Sequence, residues 1–210
     1  MIAACVISGW VSLSGASNAD VRIAEIRKLH TQTNKVVDEH LARHSVYYLS
    51  SEGWKKASIG VGNLHSDIDT KAPIEKYDVF IHDRHVVKAT FNIETSSGDW
   101  SNRKEYYYYP NGKTAFVLEQ HLTFNGYDFE KQLTLPNGPF LIEMRYYFDE
   151  KGTLIKQLKS AFTVRRKKKV DERFLPYTDL GVLPDVMSLP FYSELVAEER
   201  LTSPETTKHK

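Results

Sequence analysis

The chain has 210 residues, 28 basic and 27 acidic, and its net charge of +1 provides no global field to draw it onto nucleic acid or an anionic membrane. With 41% hydrophobic and 26% charged residues it is a soluble globular chain able to bury a core, at a length suited to one domain with a short appendage. An aromatic share of 12% suits a β-rich fold, because aromatic side chains fit a pleated surface.

The first nineteen residues, "MIAACVISGWVSLSGASNA", contain no charged residue. The apolar stretch Ile2–Leu13, followed by small residues ending in Ser17-Asn18-Ala19, reads as the core and cleavage site of a secretory signal over 1–19. It is too short for a spanning helix, which needs about 20 apolar residues, so no transmembrane span is expected after signal removal. "Ile2-Ala3-Ala4-Cys5" also resembles a lipoprotein box, so a lipid anchor at Cys5 is an alternative, and a buried N-terminal segment is a third. Cleavage after Ala19 would remove the one cysteine, and with it disulfides, thiolate ligands and a cysteine nucleophile. The expected location is periplasmic or secreted.

From Asp20 to about His44 the period is helical. Ile23, Ile26, Leu29, Thr33, Val36 or Val37, His40 and Leu41 recur at three- and four-residue steps, and Asn18 or Asp20 could cap the start. A stripe of that kind needs a sheet or other helices to cover it.

After Ser50-Ser51-Glu52-Gly53 the pattern becomes that of strands, at 54–64, 75–83, 85–95, 102–110, 113–124, 127–135, 140–148 and 153–164. The breaks between them are turn chemistry: Asp83-Arg84, Pro110-Asn111-Gly112, Asn125-Gly126, Pro136-Asn137-Gly138 and Asp149–Gly152. Asn-Gly between such runs predicts hairpins closed by type I′ turns. No connection is long enough for a crossover helix, which excludes parallel βαβ units. Beyond the basic run Arg165–Lys169, a proline-containing apolar segment over 170–200 reads as an irregular wrap with a short helix near Pro190, and 201–210 as a disordered tail. The fold class is therefore α+β: an N-terminal amphipathic helix packed on an antiparallel meander of about seven or eight strands within 20–169, followed by the C-terminal wrap.

Two strands place aromatics at successive positions: Tyr106-Tyr107-Tyr108-Tyr109 and Tyr146-Tyr147-Phe148. Alternation puts Tyr106 and Tyr108 on one face and Tyr107 and Tyr109 on the other. A sheet with aromatics on both faces either has both covered, by the helix and by the segment from Phe174 to Leu195, or leaves one as a ligand groove. In the second case the wall is Tyr107, Tyr109 and Tyr147, or else Tyr106, Tyr108, Tyr146 and Phe148.

Ile26-Arg27, Ser51-Glu52-Gly53, Tyr106–Gly112 and Arg145–Leu154, spread over residues 22–160, give the chain a further likeness. It resembles a family of uncharacterised exported bacterial proteins that combine an N-terminal helix with repeated Tyr-Tyr-Phe strands and glycine turns. The resemblance implies a signal or lipoprotein sequence and carries no activity with it.

No linear motif points to catalysis or a cofactor. His40 and His44 in "DEHLARH" have a four-residue helical spacing, but a metal would need a third ligand; His82 and His85 flank a turn and match no metal or triad pattern. Ser58 lies in no nucleophile elbow, and "GVGNLH" at 60–65 lacks the lysine and helix of a phosphate loop. Glu94, Asp99, Glu105, Glu119, Glu130 and Glu143 are strand or turn carboxylates, and Arg165–Lys169 reads as a solvated strand end. Metal, cofactor and nucleic acid are thus not expected. The function expected is a non-catalytic, envelope-associated protein binding an unknown ligand or envelope partner; the alternative is a hydrolase whose residues come from several strands.

Overall fold

The computed structural model describes residues 17–57, 74–95, 97–124, 126–128, 133–134, 138–165, 167–171, 173, 175, 177 and 180–201. Ser58, the glycine pattern at 60–65, Glu130, the segment before Ser17 and the tail beyond Leu201 lie outside them.

Helix α1 spans Asn18–Asp38. Ser17 caps it by accepting from the Asp20 amide at 3.2 Å, and Asp20 in the first turn suits the positive end of the helix dipole. Ile23, Ile26 and Thr33 form the buried stripe. The helix does not reach His44. It stops because His40 adopts a φ of 56°, with Leu41 N–H donating to Val36 O at 3.0 Å and His40 N–H to Val37 O at 3.1 Å, a left-handed C-terminal closure. Val46, Tyr47 and Tyr48 follow, and β-branched and aromatic residues favour a strand there.

All described strand pairs are antiparallel. Eight strands form one sheet: β1 (Arg43–Ser50), β2 (Gly53–Lys56), β3 (Ile74–His82), β4 (His85–Glu94), β5 (Trp100–Tyr108), β6 (Thr114–Thr123), β9 (Phe140–Phe148) and β10 (Leu154–Thr163). Their order is β2-β1-β3-β4-β5-β6-β9-β10, a meander whose one departure is β2 folding back to the outside of β1. The strand expected at 127–135 is instead two short pieces, β7 (Tyr127–Asp128) and β8 (Leu133–Thr134), paired with each other outside the main sheet.

Of the expected Asn-Gly turns, the one at Asn111-Gly112 is built differently, while Asn125, Pro136 and Asn137 lie outside the described residues. Type I′ geometry occurs at Asp83-Arg84, where both residues have positive φ (49° and 64°) between the paired His82 and His85. At Pro110-Asn111-Gly112 only Gly112 does, at 77°. There Gly112 N–H donates to Tyr109 O and Tyr109 N–H to Lys113 O, each at 2.9 Å. Asp149–Gly152 repeats that construction: Gly152 N–H donates to Asp149 O at 2.8 Å, Asp149 N–H to Thr153 O at 2.9 Å, and Gly152 has φ 85°. The two aromatic strands thus end in the same glycine-closed loop.

Both faces of the sheet are covered, unequally. α1 lies on one face over Tyr107, Phe116 and Tyr147, forming a small cluster with Ile23 and Ile26. On the other face Leu175, Val186, Leu189, Phe191 and Leu195 of the C-terminal segment complete the main core. That segment contains a turn of 3₁₀ helix at Val186–Ser188, capped by Asp185, and helix α2 (Tyr192–Glu199). Phe191 stacks on Tyr47 with ring centres 4.1 Å apart. Glu199 anchors α2 to the sheet edge, accepting from Ser45 at 2.7 Å and Lys56 at 2.5 Å, with Arg43 2.6 Å away. Among the described residues no helix is long and apolar enough to cross a membrane.

Candidate functional site

The register fixes the aromatic pairs. Tyr106, Val117 and Tyr146 stand in one row across β5, β6 and β9, and Tyr107, Phe116 and Tyr147 in the next. Tyr106, Tyr108 and Tyr146 join the wrap-side core with Phe148 packed against it; Tyr107 and Tyr147 join the α1 cluster with Tyr109 beside them. Alternation had implied this division within each strand. Tyr106, Tyr107, Tyr108, Tyr146 and Tyr147 are buried, while Tyr109 and Phe148 are partly so. Of the seven, Tyr147 lines a cavity with an apolar floor, and Tyr109 lines a notch at the hairpin ends.

α1 is narrower than the sheet beneath it, and a depression opens on each flank. On one flank a crevice of about 230 Å³ is lined by Ile26, Arg27, His30, Phe116, Leu118, Arg145 and Tyr147. On the other, a notch of about 560 Å³ is lined by groups of both signs, among them Arg22, Lys28, Glu25 and Glu150. There Arg22 is tied to Asp149 at 3.3 Å. The notch mixes Leu29, Tyr109 and Pro110 with three basic and three acidic residues and so has no charge preference, whereas the charged residues lining the crevice, Arg27 and Arg145, are of one sign.

Beside the crevice a polar network closes the seam between helix and sheet. Lys88, on β4, is buried and places Nζ 2.9 Å from Glu105 Oε2, 3.1 Å from Asn34 Oδ1 and 4.9 Å from the centre of the Tyr107 ring. The Tyr107 hydroxyl donates to Glu105 Oε2 at 2.7 Å and stands 3.0 Å from Asn34 Oδ1. Arg103 meets the other oxygen of Glu105 at 2.8 Å. His30, one helical turn before Asn34, has Nε2 3.2 Å from its amide nitrogen, with the ring tilted on Tyr107 and edge-on to Phe116. Arg145 leans on Glu143 at 2.5 Å, and the Arg27 guanidinium lies 6.0 Å above the Tyr147 ring.

The electrostatics follow from that packing. Burial, then the Lys88 charge, hold the His30 pKa below its usual value, which keeps the ring neutral. Burial alone would raise Glu105, but bonds from Tyr107 and Lys88 outweigh it and hold the carboxyl below its ordinary value. Burial, reinforced by Glu105, pushes the Tyr107 phenol well up, so it serves as a donor. The crevice and its seam hold Arg27, Lys88, Arg103 and Arg145 against Glu105 and Glu143, a surplus of positive charge.

The wrap side contains a second constellation. Lys104 and Glu119 face each other at 3.5 Å with 1% and 0% of their side chains exposed. Glu119 accepts from Asn102 at 2.7 Å and from Tyr177 at 3.1 Å, and Lys104 donates to the carbonyl of Gly181. His121 is buried alongside, stacked on Trp100. Asn102, Lys104, Tyr106 and Tyr108 share one face of β5, so the pair is a polar inclusion in an aromatic surface. It fastens Tyr177 and Gly181 of the wrap to the sheet, and the cavities beside α1 do not touch it. The sequence marks Glu119 only as a strand carboxylate; its position between Leu118 and Gln120 gives no linear sign of burial.

The histidines separate. His40 sits in the closure after α1, while His44 is on β1, 3.0 Å from Asp78 and stacked on Phe80. His82 meets the carbonyl of Leu41 at 3.2 Å. Among the described residues no three His, Cys, Asp or Glu side chains converge as a metal site would need. Arg165, Lys167, Lys168 and Lys169 are exposed around the turn that closes β10. No family model, curated protein or solved structure matches this chain.

Proposed function

We propose that the protein is an exported, non-catalytic binding protein that seats a small ligand in the crevice between α1 and the sheet. The observation that carries this is the composition of the lining. An apolar floor of Ile26, Phe116, Leu118 and Tyr147 is rimmed by two arginines and a neutral histidine. Pockets that combine an apolar body with a few convergent polar groups are the usual small-molecule seats. The described lining includes no serine, threonine, cysteine or carboxylate, so His30 meets neither the common side-chain nucleophiles nor an orienting acid there, which favours binding over hydrolysis.

A thermal-shift screen of small organic compounds tests the reading when run on the wild type and on Leu118→Trp. Leu118 is only partly buried, so the indole fills the crevice without disturbing the core. Compounds that bind the folded state raise the melting temperature by mass action. The stabilisation should vanish in Leu118→Trp. Equal stabilisation of both proteins, or none of either, contradicts it.

Export rests on the uncharged segment 1–19 and on the family resemblance. N-terminal sequencing of protein from its native cell should begin at Asp20; retention of Met1 in a cytosolic fraction contradicts export, and fatty acid on Cys5 shows the anchored alternative. Cleavage after Ala19 would also remove Ser17, the N-cap of α1, a change that costs a helix about 1 kcal/mol.

A further inference from the structure

We propose that the ligand of the crevice is an amphipathic monocarboxylate, its head between Arg27 and Arg145 and its apolar body on Phe116, Leu118 and Tyr147. This rests on the crevice being a ligand seat, as proposed above, and adds the class of molecule it selects.

Three features lead there. The first is charge. At the rim, among the described residues, Arg27 forms no ion pair and Arg145 pairs with Glu143 alone. Two guanidiniums against one carboxylate leave about one positive charge unmatched, which suits a monoanion. A guanidinium presents its donors as a planar fork that fits a carboxylate through two parallel bonds.

The second feature is that the described lining offers a cation no carboxylate. The lining side chains include two arginines, which only donate. The nearby carboxylates are engaged: Glu105 by Tyr107, Lys88 and Arg103, Glu143 by Arg145 and by Gln120 at 3.3 Å. An ammonium ligand would meet like charge with no unengaged carboxylate among the described residues to pair with, a selection by repulsion.

Size and polarity of the floor are the third. About 230 Å³ corresponds to roughly eight water volumes at ~30 Å³ each, enough for one aromatic ring or a short alkyl chain and its head. The floor side chains gain most by covering an apolar body.

The test is isothermal titration of the full-length chain with three probes of one shape: 3-phenylpropionate, 3-phenylpropan-1-ol and 3-phenylpropylamine. The carboxylate should bind at least about tenfold more tightly than the alcohol, and the amine should give no heat of binding. Arg27→Gln should reduce the carboxylate to the alcohol's affinity and leave the alcohol unchanged; Arg27 is exposed, so circular dichroism should show an intact fold. Leu118→Trp should abolish both. If the alcohol matches the carboxylate, or the amine binds best, the carboxylate assignment falls while the crevice stands as a seat. If carboxylate and alcohol bind Leu118→Trp as well as the wild type, the seat itself is wrong. If no probe binds the wild type, both fall.

Discussion

The two faces of the sheet carry near-identical aromatic rows and bury their charges in opposite ways. On the wrap side, Lys104 and Glu119 are enclosed within the main core, and the C-terminal segment seals them. On the α1 side, Lys88 and Glu105 lie at the edge of a narrow helix and keep some contact with solvent, at 10% and 14% side-chain exposure. The same chemistry therefore does two jobs. Where the cover is complete, the ion pair fastens it down; where it is partial, charge remains at the rim, where the proposed ligand would meet it.

The sharpest way to break the comparison is to remove one partner of the sealed pair. Lys104→Ala leaves Glu119 buried and uncompensated and should destabilise by about 3–5 kcal/mol in urea unfolding. The double variant Lys104→Met with Glu119→Leu should recover most of that loss. If the single variant costs nothing, the wrap side is not sealed.

Hydroxyl deletion separates the faces next. Tyr107→Phe removes a donor to a carboxylate and should cost about 1.5–3 kcal/mol. The Tyr108 hydroxyl is buried with no hydrogen-bond partner among the described residues, so Tyr108→Phe should be neutral or stabilise by about 1 kcal/mol. Equal effects in chemical unfolding would contradict the assignment of these two tyrosines.

Acid should act through the α1 side first. His30 has a lowered pKa when folded, so the unfolded chain takes up its proton first, near the usual value of about 6.5. Stability is full above that value and falls as pH drops through the folded pKa. Glu105, Glu199 and Asp185 are also held low, so their contribution is complete above about pH 4.5 and is lost below it as they protonate in the folded state. Midpoints measured against pH should show both phases, and His30→Gln should erase only the upper one. The smallest effect is expected from Arg22→Ala. It cuts an exposed pair with Asp149, and the urea midpoint should stay in place within error.

The architecture was legible wherever alternation and turn residues are local signals. Strands 75–83, 85–95, 113–124 and 140–148 were each placed within a residue of their observed bounds, and α1 was recognised from its stripe. Its end was not, because His40 in the left-handed region has no sequence signature as strong as a glycine would give. The turn type at Asn111-Gly112 was misread because Pro110 lengthens the loop, so that only the glycine needs positive φ. The crevice was illegible for another reason. Ile26, His30, Phe116, Arg145 and Tyr147 come from three elements, and only the register of β6 on β9 under α1 brings them together. Of the two tyrosine strands only the one carrying Tyr147 lines the crevice, and Arg145 beside it was passed over as turn-and-strand pattern.

The most direct test of this division is a ¹H–¹³C aromatic NMR titration of the wild-type protein with 3-phenylpropionate. The account predicts that the Tyr147 and Phe116 ring signals move with increasing probe while Tyr106, Tyr108 and Tyr146 stay fixed. Movement of the second set with the first unmoved would place the seat under the wrap and contradict it.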